Sequence, residues 1–217
     1  VVASRLDTPY RALQVRCIAQ KLLREGMNPL LLVADGGEDV RALIQNILAY
    51  SVAGVIVTSD TPSPEVVKAC NRAGVPVVMI NRGPASSGAD TVCMDLQAGG
   101  CAAFEMLQTS GAKRFGVVTP QQETYSVTGR ANAFLTCCEN AGSPSMRIAS
   151  PGQSHTSGKA VADAVLAEVD AGRIDGLFCA TDLLALGVLD RLRHERGVDV
   201  PHVLEHVVQV DVVEVSG

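Results

Sequence analysis

No apolar run in this 217-residue chain approaches the roughly 18 residues that a membrane-spanning helix needs, and no basic-then-apolar leader opens it. That makes a cytosolic protein the default expectation. A basic stripe is missing as well: 18 Lys and Arg are scattered among 23 Asp and Glu, for a net charge of -5, so this stretch by itself is not expected to bind nucleic acid. Seven cysteines form an odd set with no C-x-x-C spacing (17, 70, 93, 101, 137, 138, 179), which excludes a simple disulfide framework or zinc knuckle. Most lie in apolar helix or strand patterns, and all seven read as reduced core residues, again favouring the cytosol. Phosphate-cradling loops are lacking: DGGE at 35–38 does not have the G-x-G-x-x-G spacing, and G-x-x-x-x-G-K-[ST] is absent. Without a G-x-S-x-G elbow, or any nucleophile set beside a base, no catalytic constellation assembles and an enzyme is not expected. No cofactor is expected either.

What is present is a regular alternation. With 47% hydrophobic and 19% charged residues the composition is that of a globular chain, large enough for one sizeable core or two smaller ones. Short Val/Ile/Leu runs at 1–4, 30–34, 54–58, 75–80, 91–94, 115–119 and 176–180, with a weaker one near 146–148, predict strands. Helical periods fall between them. Pro9 suits a first turn, and Ala12, Val15, Ala19, Leu22 and Leu23 fall on one face before Gly26 stops the helix. Val40, Leu43, Ile44, Ile47 and Leu48 mark the next helix, followed by helices over 64–73 and 96–109. Further helices carry Ala131, Phe134, Leu135 and Cys138, then Val161, Ala164 and Val165, and the last spans 182–195. Strands apolar on both faces, each followed by a helix, predict parallel sheets covered on both sides. About four or five βα units precede residue 95 and about three follow it. The expected architecture is therefore α/β, two doubly wound parallel-sheet lobes joined by a hinge, with lobes at 1–95 and 96–217. Because the chain starts at Val1 inside an apparent strand, a fragment of a longer protein is expected, with a segment missing upstream. The tail from His202 is Val-rich and reads as one last strand.

Open α/β sheets bind ligands beyond the carboxyl ends of their strands. There the sequence places Asp7, Thr8, Pro9 and Tyr10; Asn81 and Arg82; a loop from Gln121 through Tyr125 to Ser126, with Arg130 one turn into the next helix; Thr181 and Asp182; and, after the run at 207–210, Asp211. Aromatics are only 3% of the chain, yet two of its three tyrosines, Tyr10 and Tyr125, fall in these loops. Singly, each residue has a structural explanation: Asp7, Thr8 or Thr181 as a helix cap, Asp182 against the helix dipole, Arg82 as a solvated turn residue, Tyr125 as loop packing. Together, carboxylates, amides and Arg forks with an aromatic face suit a small polyol or sugar.

TPY at 8–10, GVPVVMINR at 74–82, GRANAF at 129–134, IDGLFCATDLLALG at 174–187 and GVDVP at 197–201 resemble, in order and spacing, the landmarks of the lactose and galactose repressor family. The resemblance implies a two-lobed fold shared with periplasmic sugar-binding proteins, an effector site, a homodimer, and operator DNA read through a helix-turn-helix headpiece upstream. It also implies that Tyr10 stacks on the effector beside Thr8, that Asn81 and Arg82 stand in for an Asp-Arg pair, and that Arg130 reaches the ligand from its helix start. Thr181 and Asp182 replace the family's usual Asn-Asp, and Arg11 replaces a residue that is often aromatic. Aligning VVQVD at 207–211 with the family's VVGFD makes Asp211 a ligand carboxylate. Since the family continues beyond this point to finish the first lobe, the chain is expected to be incomplete at both ends. Two rival readings are a secreted solute receptor of a transporter and a small α/β enzyme using Asp182 or Asp211. HVLEH at 202–206 matches an inverted zinc-peptidase pattern, but between Pro201 and a Val-rich run its histidines need not share a helix, and no metal is expected.

Overall fold

The computed structural model describes residues 1–4, 6, 8–34, 40–58, 64–81, 88–122 and 124–197. The chain divides into two compact units, Val1–Cys93 and Met94–Gly217. The first contains β1 (Val2–Ala3), α1 (Pro9–Arg24), β2 (Leu32–Val33), α2 (Val40–Ala49), β3 (Val55–Val57), α3 (Pro64–Arg72), β4 (Val77–Ile80) and β5 (Asp90–Val92). Its five described strands are all parallel, in the order β2-β1-β3-β4-β5. The second contains α4 (Leu96–Thr109), β6 (Phe115–Pro120), α5 (Tyr125–Asn140), β7 (Ser145–Ser150), α6 (His155–Asp170), β8 (Gly176–Cys179) and α7 (Asp182–Leu189), with a π-helical turn over Asp190–Glu195. Its three described strands are parallel in the order β7-β6-β8. The α/β fold with parallel sheets in two groups is the one expected from the sequence.

In the second unit the two-residue period of the strands explains the layering. Val117, Phe178 and Ala180 pack with Phe104, Phe115, Ala131 and Phe134 under α4 and α5, whereas Val118, Leu177 and Cys179 pack with Val161, Val165, Leu184 and Val188 under α6 and α7. Neighbouring strand residues thus point into opposite cores. The Phe104, Phe115 and Phe134 rings meet edge to face at centroid separations of 5.1 to 6.4 Å, the arrangement their quadrupoles favour.

The first unit departs from the expected two-sided coverage. Val55, Val57, Val77 and Met79 bury one sheet face against Ile47 of α2 and Val66, Val67 and Cys70 of α3. On the alternate positions Ile56, Val78 and Ile80 are only half-buried, and β5 is exposed throughout. Helix α1 buries none of its residues completely: Val15, Ala19 and Leu22 are half-buried as their spacing predicts, but Ala12 and Leu23 are exposed. These two sit together on one flank of the stripe, roughly 90–110° from the centre of the half-buried face, where a helix turns its residues to solvent.

Helix α7 is shorter than the sequence pattern over 182–195 suggests, because the last six residues wind as a π-helix. Strand β7, weak by pattern, is a full six-residue strand; its burial alternates because it is an edge strand. The cysteine expectation is corrected. Cys101 of α4 and Cys137 of α5 form a disulfide, and Cys17 and Cys93 are exposed, leaving only Cys70, Cys138 and Cys179 as buried thiols. A helical period places a cysteine on a face but does not say which side chain stands opposite. Among the described residues no helix is long and apolar enough to cross a membrane.

Candidate functional site

In each sheet the chain leaves its first strand to one side and returns on the other, so β1 and β3 in the first unit, and β6 and β8 in the second, flank a topological switch point. Beyond the carboxyl ends of such strands the connecting loops part and leave a crevice. Thr58, at the end of β3, is fully buried and ties the strands together there: its N–H donates to the Val2 carbonyl at 2.9 Å and its hydroxyl to the same oxygen at 3.5 Å.

Two expected site residues meet in the first unit. Asn81 Nδ2 donates to the Tyr10 hydroxyl at 3.3 Å, across 71 residues of sequence. Gln14 Nε2 donates to the same hydroxyl at 3.3 Å, and Gln14 Oε1 accepts from Arg11 Nη1 at 3.3 Å. With its oxygen accepting two amide hydrogens, Tyr10 keeps its own O–H proton to donate, and its ring is 44% exposed. Asn81 follows β4 in the left-handed region, with φ 56°, and its N–H donates to Val92 O at 2.8 Å. Asn is the residue that tolerates that backbone with a side chain still in hand. Thr8 stands at the start of α1 in extended conformation and its side chain does not cap the helix. Arg82 lies outside the described residues. Gln14 was not anticipated; its position one turn after Tyr10 on α1 was the available signal.

The second unit brings α5 and the β8–α7 junction together. Arg130 Nη2 donates to the Ala180 carbonyl at 3.1 Å, joining residues 50 apart. Next to it, Thr181 is the N-cap of α7, its hydroxyl accepting from Leu184 N at 3.4 Å, and Asp182 Oδ1 accepts from Leu183 N at 2.9 Å. Thr181 therefore does serve as a cap, and Asp182, exposed in the first turn, keeps its second carboxylate oxygen for other partners. Tyr125 opens α5 and is 43% exposed. It borders a groove of about 360 Å³ with Thr124, Thr128, Gly129 and Asn132. The Thr124 hydroxyl is buried without a hydrogen-bond partner, although its backbone N–H donates to the Thr128 hydroxyl at 3.2 Å. Asn132 accepts from Arg147 Nη2 at 2.6 Å, and Arg147 Nη1 reaches the buried Thr119 hydroxyl at 3.4 Å. Thr128 and Asn132 were not anticipated, yet with Thr124 they form a row at intervals of four that follows one helix face. Asp211, the HVLEH segment and the run at 207–210 lie outside the described residues.

A larger groove, about 570 Å³, is lined by His155, Thr156, Lys159, Ala160, Asp163 and Arg191. Its charges are already engaged: Arg191 with Asp163 and Glu195, Lys159 with Glu195, and His155 Nε2 with Asp190 at 2.7 Å. A surface ion-pair lattice of this kind pins α6 to the end of α7 and leaves little charge to recognise a ligand. Burial pushes the Cys138 thiol up to about 11 and that of Cys179 to about 12, so neither supplies a thiolate near neutral pH. Among the described residues no three His, Cys, Asp or Glu side chains gather as a metal set.

Residues 6–214 match the family model of the periplasmic binding protein domain. The chain is also similar to solved structures of LacI family transcriptional regulators. One, from Enterococcus faecium with bound ribose, has a TM-score of 0.81 and 19% identity over 93% of this chain and 74% of that one. Another, from Enterococcus faecalis V583 and also with bound ribose, has a TM-score of 0.76 and 20% identity, with 93% and 74% covered. A third, from Silicibacter pomeroyi, has a TM-score of 0.75 and 22% identity, with 93% and 76% covered. At these identities the likeness is one of fold. No curated protein matches the sequence.

Proposed function

The chain belongs to the periplasmic binding protein domain family, and on that footing we propose that it is the effector-binding part of a bacterial transcriptional regulator that senses a small sugar-like metabolite. The observation that carries this reading is the Arg130–Ala180 bond at the switch point of the second sheet, which anchors a guanidinium on the backbone two residues before Asp182. A guanidinium and a carboxylate that both reach one ligand can hold adjacent hydroxyls, one as donor and one as acceptor. The Tyr10–Asn81 pair supplies an exposed aromatic face and a free hydroxyl proton in the first unit. Thr8, Tyr10, Asn81, Arg82, Tyr125, Arg130, Thr181, Asp182 and Asp211 are the proposed contacts, with Thr181 acting through the α7 cap. Two solved neighbours of the same fold hold ribose.

In the proposed mechanism an effector that touches both units binds the closed arrangement more tightly and shifts the population toward it. In a homodimer with upstream helix-turn-helix headpieces, closure would change the spacing of the two DNA-reading elements on a palindromic operator. The protein would act in the cytoplasm, as a binder rather than an enzyme. The second reading is an exported solute receptor feeding a transporter. The Cys101–Cys137 disulfide is the observation in its favour, since such bonds persist in oxidising compartments. Isothermal titration of ribose and a panel of pentoses, hexoses and polyols against the purified protein tests the site. A saturable heat whose affinity Arg130→Ala lowers at least about 10-fold supports it; binding left intact by that substitution removes its central residue.

A further inference from the structure

Helices α4 and α5 are packed without room to spare. A Cβ built on Gly100 of α4 would lie 2.6 Å from the Arg130 carbonyl oxygen, 2.6 Å from Ala133 Cβ and 2.7 Å from Phe134 N. A Cβ on Gly129 of α5 would meet Leu96 Cδ1 at 2.6 Å. Helix α4 thus abuts the backbone of Arg130 itself. The next α4 residue after Gly100 is Cys101, and Cys137, seven residues after Arg130, falls on the same face of α5 two turns on. The disulfide joins them at a Cα separation of 5.7 Å. Both cysteines are half-buried, within reach of a small oxidant or thiol, and Gln97 Nε2 donates to Cys101 Sγ at 3.3 Å.

We infer that Cys101 and Cys137 form a reversible redox staple, a dithiol under cytosolic reducing conditions and a disulfide under peroxide stress, which sets how firmly α5 and Arg130 are held on α4. The contacts that keep the dithiol form folded are the glycine-mediated helix packing and the Phe104–Phe115–Phe134 cluster. Closing the staple consumes one peroxide. One sulfur attacks a peroxide oxygen, breaking the O–O bond to give a sulfenic acid and, with the thiol proton, a water. The second sulfur displaces the sulfenic hydroxyl, which leaves as water with the second thiol proton, and the S–S bond forms. Two thiols lose two electrons and peroxide gains them. Opening runs by exchange with two small thiols, which leave as their own disulfide. The adjacent Cys138 thiol does not intercept the bond, because burial keeps it protonated.

The test needs no effector, so its failure is separate from failure of the sensor reading. The purified protein is equilibrated with excess reduced glutathione or with one equivalent of hydrogen peroxide, unfolded in alkylating reagent, and mapped by mass spectrometry. Seven alkylated cysteines are expected after glutathione and five after peroxide, with the peptides of Cys101 and Cys137 linked. The peroxide-treated form should melt higher by about 5–10 °C and exchange the α5 amides more slowly. That difference should vanish in Cys101→Ser and in Cys137→Ser. Seven free thiols after peroxide overturn the inference, and so does a link mapped to another pair. A bond that survives excess glutathione also overturns it, and marks a permanent disulfide of the kind an exported receptor would carry. Should the serine variants not fold, the mapping of the unsubstituted chain decides.

Discussion

Arg130 and Ala180 are 50 residues apart, and the guanidinium of one donates to the carbonyl of the other at 3.1 Å. The bond holds a long side chain in place before any ligand arrives, so less rotamer entropy is lost on binding. Arg130→Ala should lower effector affinity about 10- to 100-fold, the range for a lost charged hydrogen bond, and should also cost about 1.5–3 kcal/mol of stability, because the buried Ala180 carbonyl loses its donor. Arg130→Lys should recover only part of the affinity, since an ammonium cannot hold Ala180 and fork a ligand at once. Titration and urea melts on the three proteins separate these outcomes; equal affinities would dissociate Arg130 from the site.

Asn81 separates backbone from side chain. With φ 56°, Asn81→Gly should fold as well as the parent but lose the bond to Tyr10, weakening binding without loss of stability. Asn81→Val should cost about 1–2 kcal/mol, because a β-branched residue is strained there. If valine proves as stable as asparagine, the left-handed conformation is not retained in solution.

Thr181 and Asp182 divide labour at the start of α7. Thr181→Ala removes a cap and should cost about 1 kcal/mol, which Thr181→Ser restores. Asp182→Asn preserves an acceptor for Leu183 N and should leave the melting temperature nearly unchanged while reducing effector affinity. A large stability loss from the asparagine would instead assign Asp182 to the helix end alone.

Two adjacent glycines in α4 should respond with opposite signs. A Cβ on Gly99 meets nothing closer than Arg130 Cδ at 3.9 Å, so Gly99→Ala should stabilise by up to about 1 kcal/mol through helix propensity. Gly100→Ala drives a methyl into α5 and should destabilise by about 2–3 kcal/mol. Denaturant midpoints of the pair are the check, and similar values for both would show that α5 does not pack tightly against Gly100 in solution.

Acid should act through Asp175. Burial raises its pKa, but the Arg114 and Lys113 amides at 2.7 and 2.8 Å and the Arg114 guanidinium together outweigh burial and leave it below the ordinary value. A folded-state pKa below the unfolded one means that the group's contribution is fully present above about pH 4 and is lost as pH falls through the folded value. Asp175→Asn should therefore be less stable than the parent at pH 7, with the gap narrowing by pH 3. Urea midpoints at the two pH values test it; a gap that does not narrow would mean the carboxylate's charge contributes nothing.

The sequence by itself determined the alternation of strands and helices, their order along the chain, the cap at Thr181 and the presence of polar residues after several of the strands. These depend on periods of two and of about 3.6 residues and on capping chemistry, all confined to a few neighbouring residues. Only the tertiary structure decided which of those polar residues meet: Asn81 with Tyr10, Arg130 with Ala180, Thr119 and Asn132 through Arg147. It also turned two cysteines that pattern assigned to the core into a covalent link between α4 and α5, and left α1 without a fully buried residue. Adjacency of side chains 36 to 71 residues apart follows from strand order and helix packing, which the local pattern of one chain does not encode position by position.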